Sequence, residues 1–80
     1  MSDLEQILIC AVRYGLRRRT YITGVISDFI ILHIRKEGMS DKCRAVMVRD
    51  IDEADIECGL GDNCDADAWR NLRKELINNN

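Results

Sequence analysis

The chain contains no proline, and glycine occupies only five of its 80 positions. Proline and glycine are the residues that most strongly disfavour the interior of a helix, so their scarcity permits helices along nearly the whole sequence. Apolar residues also recur at intervals of three and four, as they do on one face of an α-helix. The sequence therefore predicts an all-α protein: a compact bundle of about four short helices that forms a single helical domain over residues 1–80.

The first two predicted helices have recognisable ends. Helix one runs from about Asp3 to about Arg18, and Ser2 with Glu5 forms a capping-box pattern at its start. Helix two has Thr20 as its N-cap and Gly38 as its C-terminal cap. The apolar stripe expected on helix one consists of Leu4, Ile7, Leu8, Ala11 and Tyr14. The stripe expected on helix two consists of Ile22, Val25, Ile26, Phe29, Ile30, His33 and Ile34.

The last two predicted helices are more strongly charged. Ser40 caps helix three, and Gly59 and Gly61 end it. Either Asn63 or Asp65 caps helix four. The stripe expected on helix three consists of Cys43, Val46, Met47, Ile51 and Ala54. The apolar face expected on helix four consists of Trp69, Leu72, Leu76 and Ile77.

Charge is unevenly distributed along the chain, although the net charge is only −2. Residues 10–49 carry nine bases and three acids, whereas residues 50–67 carry eight acids and no base. Such asymmetry indicates either a charged partner or two segments that neutralise each other within the domain.

The basic side has its clearest feature at the corner between the first two helices, where three consecutive arginines lie between two tyrosines. Arginine donates bidentate hydrogen bonds, and tyrosine adds a stacking surface, so this corner suits a phosphate backbone or an acidic protein surface. The alternative is that the arginines pair with the domain's own acids. The candidate partner-binding residues here are Tyr14, Arg17, Arg18, Arg19 and Tyr21.

The acidic side offers a second candidate surface. A row of carboxylates on a helix can imitate a phosphate backbone and so block a nucleic-acid-binding protein. The alternative is a solvated helix face with ordinary helix caps. The candidate partner-binding residues here are Asp50, Asp52, Glu53, Asp55 and Glu57.

Neither catalysis nor a cofactor is predicted. The four cysteines include no CxxC pair, and the single histidine, His33, lies on an apolar stripe without a nucleophile–base arrangement nearby. No metal site and no enzyme activity are therefore expected. The acidic start and the shortness of the apolar stretch Phe29 to Ile34 predict a cytoplasmic protein with free thiols and no membrane segment.

The segment from Ala11 to Tyr21 resembles a known pattern. It reads Ala-Val-Arg-Tyr-Gly-Leu-Arg-Arg-Arg-Thr-Tyr, which is similar to the Arg-Tyr-x-Leu-x-Arg-Arg-Thr-Tyr motif of a group of small bacteriophage and prophage proteins. The acidic run from Arg49 to Ala54, and Cys64-Asp65 followed by Trp69, also resemble that group. This chain has one arginine more than the motif. The resemblance implies a phage or prophage product acting in the bacterial cytoplasm, and it brings no activity with it.

Three functions are compatible with these features. The leading hypothesis is a small accessory protein that binds and modulates or inhibits a host macromolecule, such as a restriction or CRISPR-type effector, as the resemblance implies. One alternative is a nucleic-acid-binding protein that uses the corner at Arg17–Arg19, although the net charge of −2 is unlike that of most such domains. Another is a homo-oligomeric structural protein, because helix one carries more apolar residues than a small core needs and a homodimer would bury the excess.

Overall fold

The computed structural model describes residues 1–17, 22–58 and 66–78. These residues form four helices, α1 (Asp3–Leu16), α2 (Ile22–Glu37), α3 (Asp41–Cys58) and α4 (Ala66–Ile77). The radius of gyration is 11.5 Å, close to the value of about 12 Å expected for a compact chain of this length. The prediction of a compact all-α bundle is thus confirmed. The helix ends predicted at Arg18, Thr20, Gly59, Gly61, Asn63 and Asp65 lie outside the described residues.

Glu5 connects the beginnings of α1 and α3. The Glu5 amide donates to Ser2 Oγ at 3.1 Å and the Ser2 amide donates to the Glu5 carboxylate at 3.3 Å, which confirms the capping box. The same carboxylate accepts hydrogen bonds from the amide and hydroxyl of Ser40, at 2.8 and 3.0 Å. Ser40 Oγ in turn accepts from the Cys43 amide at 3.2 Å, which confirms Ser40 as the cap of α3.

Two further helix ends are fixed by single residues. Gly38 follows α2 with a φ of +77°, and its amide donates to the Ile34 carbonyl at 2.9 Å, as in a left-handed helix cap. The guanidinium of Arg44, on α3, donates to the carbonyls of Glu75 and Leu76 at 3.3 and 3.2 Å. A cation at the end of α4 suits the partial negative charge of the helix C-terminus.

Each helix packs against two others. α1 lies beside α2 and α3, and α4 lies beside the same two helices, so the order around the bundle is α1, α2, α4, α3. The buried apolar side chains come from all four helices and meet on the bundle axis. They are Ile9, Val12, Leu16, Ile30, Ile34, Cys43, Met47, Ile51, Ala66, Trp69, Leu72 and Leu76.

Trp69 fills the centre of the bundle and reaches across the diagonal from α4 to α1. It is 1% exposed, and its ring lies against the backbone of α1 at Gly15. A β-carbon at Gly15 would lie 2.8 Å from Trp69 Cζ2 and 2.9 Å from Cη2. Gly15 is therefore a point of close helix approach, rather than the loose point of α1 that a mid-helix glycine indicates. Nearby, the fully buried Ser27 hydroxyl donates to the Ala68 carbonyl at 2.7 Å and so joins α2 to α4.

The stripe predicted for α1 was right only in part: Leu8 packs against the core and Ala11 is half-buried, but the other three residues are exposed. The buried residues of α1 are Ile9, Val12, Gly15 and Leu16. Apolar side chains occupy nearly every side of this helix, so their spacing alone does not specify the core face. The contact of Gly15 with Trp69 and the hydrogen bonds of Glu5 to α3 select it instead. Residues of the predicted stripe that are exposed are Leu4, Ile7 and Tyr14.

The prediction for α2 was right in part, and those for α3 and α4 held with one exception. Ile30 and Ile34 are buried as expected, but Val25 and Phe29 are exposed, and the small Ser27 takes a core position. Cys43, Met47 and Ile51 form the core of α3 as predicted. On α4, Trp69, Leu72 and Leu76 are buried whereas Ile77 is 52% exposed.

Candidate functional site

An open cleft lies between the C-terminal end of α1 and the middle of α3, with a volume of about 360 Å³. We call it the charged cleft. It brings together three of the predicted site residues, Arg17, Asp50 and Glu53. The basic corner and the acidic segment are therefore neighbours in the fold. Its lining consists of Arg13, Leu16, Arg17, Arg49, Asp50, Glu53 and Ala54.

Carboxylates in the charged cleft are already beside arginines. Arg13 Nε donates to Asp50 Oδ2 at 2.8 Å, and the Asp50 side chain is only 9% exposed. This hydrogen bond and the charge of Asp50 raise the pKa of Arg13 above its ordinary value. Arg49 lies 3.9 Å from Glu53 one turn along α3. An anionic ligand here would have to compete with the protein's own acids.

Asp52 faces a different neighbour. Arg73 of α4 donates two hydrogen bonds to the Asp52 carboxylate, from Nε to Oδ1 at 2.6 Å and from Nη2 to Oδ2 at 3.2 Å. This pairing raises the pKa of Arg73 above its ordinary value. Residues two positions apart on a helix point about 200° apart around its axis, so Asp50 and Asp52 serve opposite sides of α3. The structure thus divides the predicted acidic surface between α1 and α4.

Five predicted site residues cannot be placed in either arrangement. Arg18, Arg19 and Tyr21 lie outside the described residues, and the side chains of Asp55 and Glu57 do so too, although both belong to α3. Tyr14 is described and is 56% exposed. It lies within a second surface, which is apolar.

This second surface, the outer apolar face, consists of two stripes of exposed side chains. Positions 4, 7 and 14 share one side of α1, and positions 25, 29 and 32 share one side of α2. Each of the six is between 48% and 66% exposed. Ala11, which is half-buried, occupies the remaining position of the α1 stripe, and Lys36 continues the α2 stripe by one turn. The six residues are Leu4, Ile7, Tyr14, Val25, Phe29 and Leu32.

The two stripes lie on the same side of the molecule. On α1, Glu5 and Arg13 reach α3, so the α1 stripe is on the flank that faces away from α3. On α2, Ser27 and Arg35 reach α4, so the α2 stripe is on the flank that faces away from α4. Because α1 and α2 are each other's remaining neighbours, both stripes border the line along which these helices meet.

The outer apolar face is large for so small a protein. About half to two-thirds of six large side chains is on the order of 500 Å² of apolar surface, and the largest patch on a typical monomer is about 300–600 Å². Of these six residues the sequence prediction named only Tyr14 as a site residue, because it assigned Leu4, Ile7, Val25 and Phe29 to the core. The excess of apolar residues in the first helix was the signal that pointed to it.

The two cysteines whose side chains the structure describes are free thiols with opposite environments. Cys10 is exposed, and Cys43 is fully buried on α3. Burial raises the pKa of the Cys43 thiol to about 11, because a thiolate is poorly solvated in an apolar core. Cys43 is therefore a packing residue and not a nucleophile.

Comparison with protein-family models, with curated proteins and with solved structures finds no match to this chain. Among the described residues, no helix has the length and apolar character needed to cross a membrane.

Proposed function

We propose that the protein is a non-catalytic protein-binding module whose contact surface is the outer apolar face. The observation that supports this proposal is the alignment of six exposed large apolar side chains on two adjacent helices. Keeping such a surface in water is unfavourable by about 25 cal/mol for each Å² that a partner could cover. Contiguous apolar patches of this kind mark sites of protein association.

The chemistry of the face favours a protein over a nucleic acid. The centres of protein interfaces are depleted in charge and enriched in aromatic side chains, and the six residues include Tyr14 and Phe29 but no charged residue. A phosphate backbone requires free cations. Two of the three arginines that line the charged cleft are already beside acids, since Arg13 is bonded to Asp50 and Arg49 lies beside Glu53, which leaves only Arg17.

The biological role we propose follows from this surface and from the resemblance to phage proteins. A small domain that covers an apolar surface on a larger protein can modulate or inhibit it without any chemistry of its own. We propose that the chain acts in this way in a bacterial cell, as an accessory protein.

Site-specific photo-crosslinking in bacteria tests the proposal whatever the partner is. The photoreactive residue p-benzoylphenylalanine would replace Phe29 at the centre of the outer apolar face, or Ile77 on α4. Ile77 is a matched control because it is also a large apolar residue, 52% exposed. We expect a discrete protein adduct from position 29 and none from position 77. No adduct from position 29, or the same adduct from both positions, would contradict the proposal.

A further inference from the structure

We propose that the occupant of the outer apolar face is a second copy of this chain, packed about a two-fold axis so that the α1–α2 pairs of the two copies lie on each other. This inference rests on the proposed function, since it names the partner of the same surface. In a two-fold dimer one surface patch contacts itself. The surface must therefore complement its own chemistry.

The charge distribution of the outer apolar face allows it to complement a second copy of itself. Heterologous partners are usually selected by complementary charges at the interface. The six face residues carry no charge, and the charged side chains nearest to them on the stripes lie at helix ends: Asp3, one turn before Ile7 on α1, and Lys36, one turn after Leu32 on α2. An uncharged apolar surface complements another copy of itself without any ion left unpaired, whereas a strongly charged partner would lose solvation there without gaining an ion pair.

The shape of the outer apolar face is also compatible with packing against a second copy of itself. α1 and α2 contain 14 and 16 residues, so they are about 21 and 24 Å long at about 1.5 Å per residue. Two helices of nearly equal length, side by side, form a flat layer that can stack on an identical layer. Four helices packed in this way are a common and stable arrangement.

The small area favours a weak, reversible dimer. About 500 Å² from each copy gives a total of about 1,000 Å², which is near the lower limit for a specific interface. The dimer should therefore dissociate at micromolar rather than nanomolar concentration. Among the residues whose exposure the structure describes, Phe29 is the most exposed large apolar one, at 66%, and it lies between Val25 and Leu32 on its stripe. A charge at this position should therefore interfere most with dimer formation.

Sedimentation velocity across the micromolar to millimolar range tests the inference with purified wild type, Phe29→Asp and Ile77→Asp. We expect wild type and Ile77→Asp to pass from monomer to dimer at similar concentrations. The midpoint for Phe29→Asp should rise by about tenfold or more, the effect of losing a central interface residue. Circular dichroism checks that each variant is folded. If Phe29→Asp is unfolded, Leu32→Asp is used in its place.

Three results would overturn the inference, and they differ in what they mean for the proposed function. If wild type stays monomeric at every concentration while position 29 crosslinks to another protein, self-association is wrong and the protein-binding function stands. If wild type is monomeric and position 29 gives no adduct, both self-association and the proposed protein-binding function are contradicted. Equal dimerisation of wild type and folded Phe29→Asp would place the dimer interface elsewhere and also overturn the inference.

Discussion

At the scale of single residues, Gly15 and Trp69 decide which side of α1 enters the core. α1 is apolar on most sides, and its rotation is fixed where the indole ring meets a backbone without a side chain. Any larger residue at position 15 would push against a ring that is 1% exposed and held on every side.

Replacing Gly15 tests this point. Gly15→Ala would by itself gain up to about 1 kcal/mol of helix propensity, but the new methyl group lies under 3 Å from the ring of Trp69. We expect a net loss of about 1–3 kcal/mol in the free energy of unfolding, measured by urea denaturation. In a Trp69→Phe background the loss should shrink, because the two crowded ring atoms are gone. A variant more stable than wild type would contradict the packing described here.

The Cys43 thiol gives a second prediction at this scale, for alkaline pH. Its pKa is raised from 9.0 to about 11 in the folded state, so the folded protein holds a proton that the unfolded chain releases. Stability from this group is complete below pH 9.0 and is lost as the pH rises toward about 11. We expect the unfolding free energy of wild type to fall more steeply over this window than that of Cys43→Ala. If the unfolding free energies of the two proteins fall in parallel with pH, the contribution expected from Cys43 is absent.

At the scale of helices, Glu5 links two of them at their first turns. The carboxylate completes the capping box of α1 and accepts two hydrogen bonds from Ser40 at the start of α3. The bond from the Ser40 amide is the main reason that the pKa of Glu5 lies below its ordinary value. Negative charge is favourable at a helix N-terminus, and the Glu5 carboxylate lies at the N-termini of both α1 and α3.

The decline of the melting temperature at acid pH tests this connection between α1 and α3. A lowered carboxyl pKa means that the stabilisation is present above the ordinary value of 4.5 and is lost as the pH falls through the folded-state pKa. We expect Glu5→Gln to lower the melting temperature at neutral pH and to flatten its decline below pH 4.5. Glu53→Gln, at a carboxylate with 61% of its side chain exposed, is the control and should change neither. Equal melting curves for Glu5→Gln and wild type would refute the connection.

The helices also show which parts of the fold can be predicted from sequence. In α3 and α4, charged residues mark the solvent side, so the spacing of Met47, Ile51, Trp69 and Leu72 identified the core correctly. In α1 and α2, apolar residues lie on both sides, so spacing gives several equally good faces. The choice among them depends on contacts between helices, such as that of Gly15 with Trp69, which no local pattern contains.

At the scale of the whole molecule, the bundle has a charged side and an apolar side. The acidic α3 lies between α1 and α4 and is bonded to Arg13 of one and Arg73 of the other. The uneven charge that the sequence shows is thus partly neutralised within the fold. The α1–α2 side faces away from these pairs and carries the outer apolar face.

We propose that the outer apolar face, and not the charged cleft, is the surface through which this protein associates. The most direct measurement is the relaxation that a soluble gadolinium chelate causes at assigned side-chain protons, in dilute and in concentrated wild-type protein. We predict that relaxation of Ile7, Phe29 and Leu32 falls as concentration rises, while that of Ile77 and Arg17 stays constant. Unchanged relaxation at the outer apolar face would contradict self-association through it, and protection of the charged cleft instead would place the association surface there.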